Sequence, residues 1–177
     1  MIVISDTSPI VFFAKLEKLT FFKDLYSTII IPFAVWEELI FPLSKPNEEI
    51  PSDIEYEIKA KDEGWLVVKN PDSYQYHEIA LNLSKNLGRG EAYAIALSLE
   101  LQADILLIND SEARKIAESK GIKTKWSTEV LLDALESNLI KNYQEFEVLL
   151  NKMIEIGLWI EKSLYNEVLY KAKALKK

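Results

Sequence analysis

Ile2-Val3-Ile4-Ser5-Asp6-Thr7-Ser8-Pro9-Ile10 is the stretch on which the reading of this chain turns. Four residues form an apolar run of strand length, and the run stops at an acid. Ser8-Pro9 then reads as the start of a helix, with a preferred N-cap followed by proline at the first helical position. A strand with no polar alternation is covered on both faces, as in a parallel sheet. Working outward, Thr28-Ile-Ile-Ile31 is a second such run and is ended by Pro32. Trp65-Leu-Val-Val68 is a third, Ile105-Leu-Leu-Ile108 a fourth, and Lys123-Thr-Lys-Trp126 a weaker fifth.

Helical patterns occupy the intervals: Pro9–Leu16, Phe33–Phe41, Tyr74–Lys85, Gly90–Leu101, Ser111–Lys120 and Ser127–Glu136. Strand–helix alternation predicts a doubly wound α/β layer built on about five parallel strands. Two further amphipathic stretches, Tyr143–Ile156 and Glu161–Ala174, flank Gly157. They predict an appended helical hairpin over 140–177, within one domain spanning 1–177, or a face for a second copy of the chain. Pro42–Pro51 holds three prolines among acids and serine and reads as an exposed loop.

Composition narrows the function. A chain of 177 residues, 49% hydrophobic, can bury a core without staples. It has no cysteine, so disulfides and thiolate metal sites are excluded and a reducing cytoplasm is the expected compartment. No apolar run approaches the roughly 20 residues of a membrane span, and the N-terminus reads as a strand, not a signal peptide. The net charge is −7, and Arg89 and Arg114 are the only arginines. That balance argues against a broad, passive nucleic-acid surface, which depends on neutralised phosphates. It weighs less against a nuclease, because clustered carboxylates become favourable around a divalent cation.

Ligands of open parallel sheets gather beyond the carboxyl ends of the strands. Asp6 follows the first strand and Asp110 the fourth. Asp110, in Asn109-Asp110-Ser111, taken alone is best read as a helix cap. Asp6 is harder to dismiss, because Ser8-Pro9 already accounts for the cap. Glu91 opens the helix Gly90-Glu-Ala-Tyr-Ala-Ile-Ala-Leu97, where the helix dipole and a functional role explain it equally well. Of Glu37 and Glu38, the helical wheel slightly favours Glu37 as the inward member. Four separated acids at one end of a sheet suit metal-assisted phosphodiester cleavage, in which Mg²⁺ or Mn²⁺ takes hard oxygen ligands. Such chemistry requires no histidine, and His77 is the only one present.

Asp6-Thr7-Ser8-Pro9-Ile10, Pro32-x-x-Val35-x-x-Glu38-Leu39, Gly90-Glu91-Ala92-x-Ala94-Ile95-Ala96-Leu97 and Leu106-Leu-Ile-Asn109-Asp110-x-Glu112-Ala-Arg114 together resemble the PIN-domain proteins in order and spacing. That family includes the ribonuclease toxins of VapBC-type toxin–antitoxin pairs, and stand-alone members that this chain matches more closely. The resemblance extends over nearly the whole length. It implies a flavodoxin-like three-layer α/β/α sandwich and an acidic pocket that uses Mg²⁺ or Mn²⁺ to hydrolyse RNA. It places the family's four acids on Asp6, Glu38, Glu91 and Asp110, with Asp6, Glu91 and Asp110 as metal ligands, and so selects Glu38 over Glu37. Thr7 and Ser8 fall where a hydroxyl supports the first aspartate. One departure is Glu91, where many active members carry aspartate.

The expected partners are therefore an RNA substrate, an antitoxin protein and a second copy of the chain. The competing reading is a catalytically silent module that acts through protein or RNA binding. A Rossmann-type nucleotide binder is disfavoured, since no glycine-rich loop follows the first strand.

Overall fold

The computed structural model describes residues 1–41 and 51–176. Five strands form one all-parallel sheet among the described residues: β1 (Val3–Ser5), β2 (Ile29–Ile31), β3 (Leu66–Val68), β4 (Ile105–Leu107) and β5 (Thr124–Lys125). Their spatial order is β3-β2-β1-β4-β5. Ile4 is in register with Ile30 on one side and with Leu106 on the other. The chain builds outward from β1 to β3, then crosses back to place β4 on the opposite flank of β1. The order thus reverses between β1 and β4, the position at which a crevice opens at the carboxyl edge.

Side-chain direction explains why the runs were unbroken. Val3, Ile29, Ile31 and Leu107 join one core, with Ile10, Phe13, Phe22, Leu131 and Phe146. Ile4, Leu106 and Ile108 join a second core, with Ile95, Leu97, Ala113 and Ala117. Alternate residues of β1 and β4 thus serve opposite cores, as the two-residue strand period requires. Each face of the sheet is covered by helices, giving a three-layer α/β/α fold. The first layer holds α1 (Thr7–Lys15), α2 (Thr20–Tyr26), α8 (Ser127–Glu136), α9 (Tyr143–Glu155) and α10 (Lys162–Leu175). The second holds α6 (Arg89–Glu100) and α7 (Ser111–Ser119), with α5 (Tyr74–Leu83) packed on α6. Helix α3 (Phe33–Ile40) contacts both α1 and α6.

Two expectations change. The first helix begins at Thr7, not Pro9, so Asp6 and not Ser8 is the N-cap residue. The N–H groups of a helix's first turn have no intrahelical partner, so proline is tolerated beyond the first position and its place alone does not fix the start. Helix α2 and helix α4 (Ser52–Asp62) were not expected. In α4 the buried row is Ile54, Glu57 and Ala60, and a charged residue in that row hides the helical period. The expected loop Pro42–Pro51 lies outside the described residues except for Pro51, which precedes α4.

Helix α10 contacts both α8 and α9. Phe146, Leu150, Met153, Val168 and Ala172 belong to the same core as Val3 and Ile10. Among the described residues no helix is long and apolar enough to cross a membrane.

Candidate active site

Helices α1, α3, α7 and α8 present their N-termini at the carboxyl edge of the sheet because they directly follow strands, and α6 does so because it precedes β4 and runs against it. Helix N-termini carry partial positive charge and unpaired N–H groups, so acids are favoured there. Asp6, Glu38, Glu91 and Asp110 all line one cavity of about 620 Å³ at this edge.

Asp6 sits deepest, only 4% exposed. Its backbone N–H donates to Leu107 O at 3.0 Å, which extends the β1–β4 pairing and holds the residue over the reversal point. Its carboxyl is pushed up to about 7. Burial is the main cause and the negative charges of Glu91 and Glu38 add to it, while the backbone N–H groups of Thr7 and Ser8 oppose it. Glu91 is also raised, chiefly by burial and further by Asp110, Glu38 and Glu112. Among the described residues, none of Asp6, Glu38, Glu91 or Asp110 is paired with a lysine or arginine.

The other three acids are fixed by neutral donors. The Thr7 hydroxyl donates to Glu38 Oε2, and the Gly90 N–H donates to Glu38 Oε1 at 3.1 Å. Glu91 Oε2 accepts the Gly88 N–H at 2.9 Å, one half of a capping box. Asp110 Oδ1 accepts from the N–H groups of Glu112 and Ala113 at 2.9 and 2.8 Å, so the capping reading holds for this residue. Both of its bonds use one oxygen. Glu91 Oε1 and Asp110 Oδ2 accept no hydrogen bond among the described residues.

Glu37 turns the other way, paired with Arg89 at 2.9 Å on the outer side of α6. The wheel favoured it because it falls between Phe33 and Phe41, but both of those rings are themselves exposed. Glu38 reaches the cavity because Gly90 has no side chain in its path: a β-carbon there would lie 2.9 Å from both Glu38 oxygens.

The hydroxyls expected to support Asp6 have different partners. That of Thr7 holds Glu38, while Ser8 Oγ accepts from Asn109 Nδ2 at 3.1 Å. Asn109 also donates to Ser127 Oγ at 2.8 Å and accepts the Ser127 N–H at 2.9 Å. One amide thereby ties the ends of β4, α1 and α8 together beneath the acids. Sequence reading gave Asn109 no role; its position after an apolar strand and beside Asp110 was the available signal.

The opposite wall is apolar. Val11 and Phe12 of α1, Trp126 after β5, and Ile156, Leu158 and Trp159 between α9 and α10 complete it. No group of three histidine, cysteine, aspartate or glutamate side chains among the described residues is drawn together tightly enough to hold a metal ion.

The PIN-domain family model matches residues 2–174. The chain belongs to the PIN-domain family. The parallel sheet with its reversal at β1/β4 is thus the sheet of a PIN domain, a nuclease-type fold. A search of curated proteins finds no match to this PIN domain.

Proposed function

We propose that this PIN domain is a divalent-metal-dependent endoribonuclease that hydrolyses phosphodiester bonds of RNA in the pocket around Asp6. The observation that carries the proposal is Asp6 itself: a carboxyl buried to 4% exposure, unpaired with any cation of the described chain, and facing the charges of Glu91 and Glu38. Burying an unpaired acid beside other acids is costly. A fold that keeps such an arrangement has a use for a cation in it.

The donor set suits Mg²⁺ or Mn²⁺ in hydrated form. Such ions require few direct carboxylates and retain several waters, which fits acids that line a cavity without touching. Asp6 would be the central ligand. Glu91 Oε1 and Asp110 Oδ2, the oxygens not spent on helix caps, would complete the site directly or through water. A bound cation supplies a water of lowered pKa and offsets charge on the leaving oxygen. Glu38, held by Thr7 and Gly90, would orient the attacking water or accept its proton. Asn109 keeps β4, α1 and α8 in register beneath it.

The test is cleavage of mixed RNA by the purified protein with Mn²⁺, with chelator, and with Asp6→Asn. Cleavage that needs Mn²⁺ and falls at least a hundredfold in Asp6→Asn supports the reading. Wild-type rates in that variant would reject the site.

A second reading rests on the caps. Glu91 and Asp110 each already serve a helix N-terminus, so a silent module could keep both for stability alone. Its negative charge would then meet a basic partner, such as an antitoxin segment, or the C-terminal helices a second copy. Calorimetry with Mn²⁺ separates the two: neither heat nor a thermal shift favours the module.

A further inference from the structure

The apolar wall of the cavity has an exposed aromatic at its rim that packing does not explain. Helix α9 ends in a Schellman motif: the Leu158 N–H donates to Met153 O at 2.9 Å and the Gly157 N–H to Ile154 O at 3.0 Å. Gly157 adopts φ +116°, a conformation that disfavours any side chain. The motif turns Leu158 into the core, where it is 5% exposed, and turns the next residue out. That residue is Trp159, 76% exposed and lining the same cavity as Asp6 and Asp110.

Single exposed apolar side chains are ordinary, but this one stands on a fixed turn at the mouth of an acidic pocket. The cavity's other indole is already engaged. Trp126 has the Arg114 guanidinium 5.2 Å from its ring centre, and its Nε1 is buried. Trp159 therefore offers the open aromatic face.

We propose that Trp159 is a positioning residue that stacks on one unpaired base of RNA next to the phosphate held at the acids. This rests on the ribonuclease reading and adds a specificity to it. The volume of about 620 Å³ lies within the range of small-ligand pockets. Its two walls divide the work: oxygens with a hydrated cation for the phosphodiester, and an indole for the base. Stacking tolerates any base but requires that it be unpaired, because the face it uses is covered in a duplex.

The experiment uses the full chain in an Asp6→Asn background, so that RNA is not consumed. The probes are a short single-stranded RNA carrying one 2-aminopurine and a duplex of the same sequence. Trp159→Ala is expected to weaken single-strand binding roughly tenfold and to abolish the quenching of 2-aminopurine, with duplex binding unchanged. Trp159→Phe is expected to restore most of both. Equal binding by parent and Trp159→Ala, equal loss for single strand and duplex, or no RNA binding by the parent would each overturn the proposal. In the Asp6-containing protein, Trp159→Ala is expected to raise KM with little change in kcat. Asp6-dependent cleavage with an unchanged KM in Trp159→Ala sinks the stacking role alone. Trp159-dependent binding by a protein that cleaves nothing sinks the nuclease reading alone.

Discussion

The Gly90 N–H donates to Glu38 Oε1 at 3.1 Å, and a β-carbon at position 90 would lie 2.9 Å from both oxygens of the same carboxylate. Helix α6 thus approaches α3 closely enough to aim Glu38 only because residue 90 has no side chain. Gly90→Ala must push the Glu38 carboxylate aside, since the end of a side chain gives way before helix backbone does. Alanine is also the better helix former, by about 1 kcal/mol at an interior position. RNA cleavage is therefore expected to fall at least tenfold, from misplacement of a group near the chemistry, while the melting temperature changes little. A rate assay and a thermal melt on one preparation check this.

Asp6 makes the metal-free protein sensitive to pH. Its carboxyl stands near 7 when folded, against 3.8 for the unperturbed group. Between these values the folded state holds a proton that the unfolded chain has released. The associated stability is full below pH 4, declines as pH rises toward 7, and is gone above it. Asp6→Asn removes this dependence and is expected to stabilise the metal-free protein at pH 8 by up to about 4 kcal/mol. Urea unfolding in chelator at pH 5 and pH 8 measures the difference.

Glu57 has the same sign but a different address. It lies on α4 at 1% exposure, with Oε2 buried and without a hydrogen-bond partner among the described residues. Burial pushes it up to about 8, Asp53 adds to the effect and Lys15 opposes it. Its contribution is lost as pH rises from about 4.5 to 8. Glu57→Met removes both the charge and the orphaned oxygen. It is expected to raise stability at pH 8 to 9 by about 2–4 kcal/mol, without changing the response to Mn²⁺ or the rate of RNA cleavage.

Asp110 has two roles that substitution can separate. Asparagine caps a helix about as well as aspartate, whereas alanine does not. Asp110→Asn should keep the melting temperature and lose most cleavage. Asp110→Ala should lose cleavage and about 1 kcal/mol of stability as well. If Asp110 is only a cap, Asp110→Asn will cleave at the wild-type rate.

Glu37 supplies the control. Its partner is Arg89, and that exposed pair is worth little. Glu37→Gln should leave cleavage within about twofold, whereas Glu38→Gln should reduce it severely. Parallel initial rates decide between the neighbours.

The fold was legible because the strands are short apolar runs without alternation, and Ile4, Leu106 and Ile30 do face a core opposite to that of Val3, Leu107 and Ile31. Helix α4 was not, because Glu57 occupies its buried row. All four acids taken from the family resemblance line one cavity. What the sequence could not convey was the bonding among them. The family resemblance chose Glu38 over Glu37, but the helical wheel could not, because the contact that aims Glu38 runs to Gly90, 52 residues away along the chain. Asn109 likewise acts through tertiary geometry, since its side-chain partners Ser8 and Ser127 lie on α1 and α8.

The direct test of the shared cation is a crystal of the protein soaked in Mn²⁺ and measured for anomalous scattering. A manganese peak is expected at bonding distance from an Asp6 carboxylate oxygen, with Glu91 or Asp110 reaching it directly or through one water. A pocket that stays empty of manganese at saturating concentration, with Asp6 ordered in its present position, would contradict the account.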